Sequence, residues 1–306
     1  MKRSIRVATR GSRLARTQTR HAIDLLAATH PECAFEVIQF TTTGDQRHDR
    51  PLTDFRGTGV FVKELQRALL DNEADIAVHS LKDVPIEQED GLTLASFPER
   101  ADPADVLLTA TAESIDTLAR QAVVGTGSPR RMLQLGRYRS DLQFRNIRGN
   151  LDTRLRKLDE GQYDAIVLAA AGLIRLGHAV SGHLRLPEAI CLPAAGQGML
   201  ALECRRDDAE INALVQSIHC FASGTCAAAE RSFLRELGAG CSVPAAALAR
   251  VHDKRLHMKA LLGDLESGRT CSLEASSPVD TAEQLGRACA QHLAAKCAKQ
   301  GIALTT

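Results

Sequence analysis

The chain of 306 residues has no tryptophan, and two tyrosines stand beside eight phenylalanines. A surface that stacks nucleic-acid bases on aromatic rings therefore has little to be built from. Net charge is lacking as well. Lys and Arg total 38 against 37 Asp and Glu, which leaves no overall field to draw the chain to nucleic acid or to a membrane surface. Any anion site must come from local clustering. The richest apolar run, residues 165–173, ends just before Arg175, far short of the roughly 20 residues a membrane span needs. The opening MKRSIRVATR has neither the apolar core nor the small-residue cleavage pattern of a secretory signal, so a cytoplasmic chain is expected. The nine cysteines include no CxxC pair, which fits reduced thiols and gives no zinc site. Cys289 and His292 lie three apart on an expected helix, but two ligands do not make a metal centre. GxxxxGK[ST] and GxGxxG are both missing, so no nucleotide-binding loop is expected.

What is present describes an ordinary folded chain. Hydrophobic residues make up 44% and charged residues 25%, enough at this length for two or three domains with cores of their own. Over roughly the first 200 residues, short β-type runs alternate with helical periods. Strands are expected at residues 5–9, 35–40 and 75–79. Gly11 and Ser12 open a helix carrying Leu14, Ala22, Leu25 and Leu26, and residues 61–70 form another with Phe61, Leu65, Ala68 and Leu69 on one side. The polar stretch PERADPAD, residues 98–105, reads as a crossover into a second lobe. There the pattern repeats, with strands at 122–126, 142–147 and 164–169, and with Ser128 and Pro129 suited to the N-cap and first turn of a helix. After Pro193 the loop AAGQG leads into a strand at 199–203. The tail changes character to a helix at 227–237, a glycine-rich turn, short strands and a last helix at 282–298. The fold class expected is α/β, two α/β lobes followed by a smaller α+β C-terminal domain.

Two strand-to-helix turns are alike, TRGSR at 9–13 and TGSPRR at 126–131. Each sets Gly and Ser where a helix begins and adds arginine, and a helix N-terminus accommodates carboxylate or phosphate; Ser12 and Ser128 could equally be plain caps. Between residues 130 and 156 stand eight arginines, Arg130, Arg131, Arg137, Arg139, Arg145, Arg148, Arg154 and Arg156. In a chain of nearly zero net charge such density suggests a ligand with several carboxylates or phosphates, both of which guanidinium forks pair bidentately. Arg148, beside Gly149 and Asn150, belongs to a turn after a strand and is better placed for a cleft than Arg137 or Arg139. In AVHSLKDVP, residues 77–85, Lys82 and Asp83 follow a strand at the end where open α/β sheets bind ligands, though a surface ion pair is the competing reading. Cys241 lies in GAGCSVP, a small-residue turn, where a thiol is open to act as nucleophile or tether unless it is simply a small buried residue.

Taken in order, ATRGSRLA, TTGD, FVKEL, ADIAVHSLKDVP, VGTGSPRR, IRGNLDTRL, YDAIVLAAAGLIRLG, LPAAGQG and GAGCSVP resemble the porphobilinogen deaminase family over nearly the whole chain. The resemblance implies two lobes like those of periplasmic binding proteins with the active site between them, and a third domain bearing a cofactor cysteine. On that basis domain 1 spans residues 1–98 and 199–218, domain 2 spans 104–193 and domain 3 spans 221–306, with the strand at 199–203 returning to the first lobe. It also implies a dipyrromethane cofactor, joined by a thioether to the position matching Cys241, and no metal.

By the same carry-over, Ser80, Lys82, Thr126, Ser128, Arg130, Arg131 and Arg154 hold the cofactor, while Arg10, Ser12, Gln18, Arg148 and Arg175 hold the substrate, porphobilinogen. Its acetate and propionate groups give the arginines a task. Asp83 matches the catalytic aspartate of the family, a fixed carboxylate where positive charge develops on pyrrole nitrogens. The implied protein is a monomeric cytoplasmic transferase with no nucleic-acid or membrane partner. Two departures from the family pattern stand out. The loop before FVKEL, read as a lid over residues 43–58, has Asp54, Arg56 and Thr58 where many relatives have lysines, and GTGSPRR puts Gly127 and Pro129 in place of the more usual GTSSLRR. The competing function is a non-catalytic two-lobed protein that binds a small anion by hinge closure and needs neither Cys241 nor Asp83.

Overall fold

The computed structural model describes residues 4–41, 62–110, 112–180, 184–238 and 244–304. The predicted lid at 43–58, with Asp54, Arg56 and Thr58, lies outside the described residues, and so do Phe61 and Cys241. The chain divides into two compact units, Met1–Ala101 with Met199–Gly224, and Asp102–Gly198 with Thr225–Thr306.

Alternation builds the first unit. In β1 (Ser4–Arg10), Ile5 and Val7 turn to one side and Ala8 to the other, as a period of two requires. With β2 (Ala34–Phe40), β3 (Ile76–Ser80), β4 (Leu92–Ser96) and a later strand, β9 (Leu200–Arg205), it forms a five-stranded sheet ordered β2-β1-β3-β9-β4. β1 runs parallel to β2 and β3, whereas β9 is antiparallel to β3 and β4. The strand expected near 199–203 thus joins the first sheet. Ile5, Val7, Ile76 and Val78 pack on Ala22, Ile23 and Leu26 of α1 (Arg13–Thr29) and on Ile211 and Val215 of α6 (Ala209–Gln216). The other face, with Ala8 and Ala77, takes Leu65, Ala68 and Leu69 of α2 (Lys63–Leu70). Each fully buried Val, Leu or Ile side chain among these contributes roughly 1.5–3 kcal/mol. With helices on both faces, the carboxyl edge of β1 and β3 is where this sheet can receive a ligand.

The second unit repeats the logic on a four-stranded sheet ordered β5 (Asp105–Thr109), β8 (Ala165–Ala169), β6 (Val123–Gly125), β7 (Gln143–Arg145). Leu107, Val124, Ala165 and Val167 pack with Leu135 of α3 (Pro129–Tyr138). Val106, Ile166 and Leu168 pack with Leu173 of α5 (Ala170–Arg175), and Leu151, Leu155 and Leu158 of α4 (Leu151–Asp159) lie against the same cluster. The 98–105 segment is a crossover except at its end, where Asp105 begins β5.

The C-terminal part is a three-stranded antiparallel meander, β10 (Ala245–His252), β11 (Arg255–Gly263) and β12 (Thr270–Pro278), with α7 (Phe221–Glu236) and α8 (Ala282–Lys299). It is the α+β region expected from the sequence, although its strands are long where short ones were predicted. Only a glycine fits at 286, since a Cβ there would come 2.1 Å from the Ala229 carbonyl oxygen, so α7 and α8 approach closely. Among the described residues no helix is long and apolar enough to cross a membrane.

Candidate functional site

In the first unit the sequence-predicted residues gather at the carboxyl ends of β1 and β3. Arg10 closes β1, and Ser12 caps α1 by accepting a hydrogen bond from Ala15 N at 3.2 Å. Its hydroxyl is therefore engaged in capping. Gln18, one turn further along α1 and buried, donates from Nε2 to Ser80 Oγ at 2.9 Å, and Ser80 Oγ donates back to Gln18 Oε1 at 3.2 Å. Beyond Ser80 the chain makes a single 3-10 turn, Leu81–Asp83. Leu81 is buried, its N–H donating to the Met199 carbonyl at 3.0 Å, while Lys82 and Asp83 are exposed. One buried apolar anchor thus holds a turn that presents two charged side chains to solvent.

Beneath this turn lies a polar group that motif reading did not find. His79 Nε2 is 3.0 Å from Glu203 Oε2, and Gln66 Nε2 donates to Glu203 Oε1 at 2.9 Å, all three side chains being buried. Each buried polar atom named here has a partner, as burial demands. The sequence signal available was the polar His79 directly after the apolar run Ile76, Ala77 and Val78 of β3.

In the second unit the β6-to-α3 turn carries Thr126, Ser128, Arg130 and Arg131. Thr126 is buried and accepts from Ser128 N at 3.2 Å. Ser128 is the N-cap of α3 but, unlike Ser12, its side chain makes no capping hydrogen bond. Gly127 sits close against the neighbouring strand end, since a Cβ there would meet Asn146 Oδ1 at 2.6 Å. Arg130 and Arg131 turn inward, at 5% and 7% exposure, onto Asp105, which is fully buried. Arg130 NH1 reaches Asp105 Oδ2 at 2.7 Å and Arg131 NH2 reaches Oδ1 at 2.7 Å. Burial alone would raise the Asp105 pKa, but the charges of Arg130 and Arg131 overcome it and hold the carboxyl well below the usual carboxylate range. Cys191 donates from Sγ to Asp105 Oδ2 at 3.3 Å, and burial pushes this thiol up to about 12, so it stays protonated.

The eight arginines between 130 and 156 are consequently not one pool of ligand charge. Arg137 bonds Thr270 Oγ1. Arg139 pairs with Asp141 at 2.7 Å and donates to the carbonyls of Ile115, Asp116 and Leu118. Arg145 stacks over Tyr163 at 4.4 Å, and Arg156 lies 3.6 Å from Glu160 on the next turn of its helix. Arg148 belongs to the β7-to-α4 turn and Arg154 to the first turn of α4. There Arg154 Nε donates to the Gly149 carbonyl at 2.9 Å, Gly149 has φ +107°, and Asn150 caps α4 by accepting from Thr153 N.

Arg175, at the end of α5, differs from the Asp105 pair. It is half-buried, and among the described residues its guanidinium donates to one neutral acceptor, the Gly198 carbonyl, at 2.9 Å. Burial pushes its pKa down to about 10. A desolvated cation without a carboxylate is costly on its own, a cost that an anionic ligand would offset. With the Ser128 hydroxyl, which makes no capping hydrogen bond, Arg175 makes the second unit fit a ligand bearing carboxylates. Among the described residues no group of three or more His, Cys, Asp or Glu is arranged to hold a metal ion.

Comparison with known proteins adds an independent line. Residues 5–213 match the family model described as porphobilinogen deaminase, dipyromethane cofactor binding domain, and residues 224–295 match that of the porphobilinogen deaminase C-terminal domain. The chain is 44% identical over 293 residues to a porphobilinogen deaminase of Desulforudis audaxviator, covering 96% of this chain and 95% of that one. It is 48% identical over 246 residues to one of Brevibacillus brevis, covering 80% of each. Among solved structures it is similar to a periplasmic substrate-binding protein of an ABC transporter from Coxiella burnetii, at 14% identity and TM-score 0.44, covering 71% of this chain and 92% of that one.

Proposed function

The chain belongs to the porphobilinogen deaminase family, and we propose that it condenses four porphobilinogen molecules head to tail, with water, into the linear tetrapyrrole hydroxymethylbilane and four molecules of ammonia. The domain matched over residues 5–213 is a dipyrromethane cofactor binding domain; when bound, this group supplies the free pyrrole α-carbon to which substrate units are added. We assign its attachment to Cys241. The alternative of a non-catalytic binding protein is not favoured, because both matched domains are deaminase domains.

The observation that carries the reading is Arg175, a desolvated guanidinium with a neutral partner. It holds a substrate carboxylate, with Arg148 and Arg10 gripping others and with Ser12 and Gln18 lining the same end of β1. Ser128, Thr126, Arg154, Ser80 and Lys82 hold cofactor carboxylates together with Arg130 and Arg131, whose share is limited by Asp105. Asp83 is the catalytic residue, its carboxylate accepting pyrrole N–H bonds and favouring positive charge on those nitrogens. The division into domains 1–98 with 199–218, 104–193 and 221–306, and a monomeric cytoplasmic state without a nucleic-acid partner, complete the proposal; the balance of charge and the scarcity of aromatics support the last of these.

Intact-protein mass under denaturing conditions, read beside ammonia release from porphobilinogen, tests it. The wild type is expected to carry a dipyrromethane adduct and to release ammonia, and Cys241→Ser to do neither. A wild type without adduct or condensation would end the proposal, and an adduct on another cysteine would end the assignment of Cys241.

A further inference from the structure

Asp105 is held from several segments of the second unit at once. Its Oδ1 accepts from Arg131 Nε at 3.0 Å and NH2 at 2.7 Å and from Gln197 Nε2 at 3.0 Å, while Oδ2 accepts from Arg130 NH1 at 2.7 Å. The same donors reach further. Arg130 NH1 bonds the Leu192 carbonyl at 2.7 Å, and Gln197 Nε2 bonds the Pro103 carbonyl at 2.7 Å. The chain enters this unit at Asp102 and leaves it at Gly198, so the entering segment, the leaving segment and the head of α3 all converge on one carboxylate.

Two guanidinia and one carboxylate leave a single net positive charge. The carboxylate also fixes which edge of each fork is committed, because bidentate and charge-assisted bonds are directional. A carboxylate in this place can act in either of two ways. It can compete with a ligand for the same N–H groups, or it can aim the remaining ones. The hydrogen bonds from Gln197, which contributes no charge yet ties Asp105 to Pro103, favour aiming, since mere neutralisation has no use for them.

We propose that Asp105, steadied by Gln197, is a positioning residue that aims Arg130 and Arg131 at cofactor carboxylates and limits the pair to one net charge. The inference rests on the function proposed above.

The test uses wild type, Asp105→Asn, Asp105→Glu and Gln197→Met, each assayed for adduct occupancy by intact mass, for thermal midpoint, and for kcat and KM separately. Misaimed arginines displace the reacting end of the cofactor, so in Asp105→Asn occupancy falls and kcat drops roughly 10- to 100-fold, with KM within about twofold because substrate is gripped elsewhere. Asp105→Glu restores the charge one methylene out of place, and is expected to recover the thermal midpoint but not kcat. Recovery of both would make the role one of charge balance alone and overturn the proposal, and so would wild-type or higher occupancy and turnover in Asp105→Asn, the outcome of competition. Should Asp105→Asn fail to fold, Asp105→Glu and Gln197→Met decide: a lowered kcat at unchanged KM supports aiming, and wild-type kcat in both overturns it. A wild type lacking adduct would remove the function itself, whereas a loaded wild type with indifferent variants removes only this inference.

Discussion

Gln18 and Ser80, 62 residues apart in sequence, exchange two hydrogen bonds, 2.9 Å from amide to hydroxyl and 3.2 Å in return. The pair fastens the first helix to the last residue of β3, immediately before the turn that presents Lys82 and Asp83. Each side chain satisfies the other, so removing either leaves a partly buried polar group short of a partner. Gln18→Leu and Ser80→Ala are each expected to cost roughly 1 kcal/mol of stability. Because both remove the same interaction, the double variant should cost less than the sum. Denaturant unfolding of the four proteins checks this, and a coupling energy within about 0.5 kcal/mol of zero would show that the side chains act independently.

Arg175 gives a prediction in which stability and function part company. Its guanidinium is desolvated and, among the described residues, has no carboxylate to offset the cost, so Arg175→Met should leave stability unchanged or raise it. If it grips a substrate carboxylate, KM rises by about tenfold or more, the equivalent of a lost charge-assisted bond of roughly 1.5–3 kcal/mol. Arg175→Lys keeps the charge but loses the fork and should fall between. Thermal unfolding and initial rates together test this, and an unchanged KM in Arg175→Met would detach the residue from substrate.

Much of this layout was legible in the chain. The short β-type run at residues 5–9 marked the first strand, and Ser128 followed by Pro129 marked the start of α3. What could not be read was which arginines are spent internally. Arg130 and Arg131 carry the same local signal as Arg148, and only the fold brings Asp105, from a segment that reads as a crossover, beneath the two of them. Likewise Gln197 and Glu203 become significant through contacts 92 and 137 residues distant, a separation no local pattern encodes. The long strands β10 and β12 were underestimated because they are rich in Ala and in Ser respectively, which signal strand only weakly.

Acid should weaken the first unit through His219. Phe97 N–H donates to His219 Nδ1 at 3.3 Å and the two rings meet edge to face with centroids 6.0 Å apart, which requires that nitrogen to be unprotonated. Burial lowers the His219 pKa from its ordinary value. The unfolded chain therefore takes up the proton first, so this contribution is complete above about pH 6.5 and is lost as pH falls through the lower folded value. His219→Asn keeps an acceptor but does not titrate. Relative to that variant, the wild type is expected to lose stability between about pH 8 and pH 5. Parallel denaturation curves at the two pH values would show it, and an unchanged difference would rule the histidine out.

Asp83 carries the mechanistic prediction. It sits exposed on the single turn after β3, a turn anchored by the buried Leu81. Asp83→Asn should therefore fold with near-normal stability, since the substitution keeps size and one acceptor while removing charge. If that charge is what stabilises cationic pyrrole nitrogens in the transition state, turnover falls by roughly 10²- to 10³-fold, the cost of deleting one preorganised group at a developing charge. KM should change little, because the arginines proposed to bind substrate carboxylates are untouched. The decisive comparison is turnover and bound cofactor measured in one preparation. Loss of turnover with the adduct still present supports the catalytic role; near-normal turnover removes Asp83 from the mechanism; and loss of the adduct reassigns it to cofactor assembly.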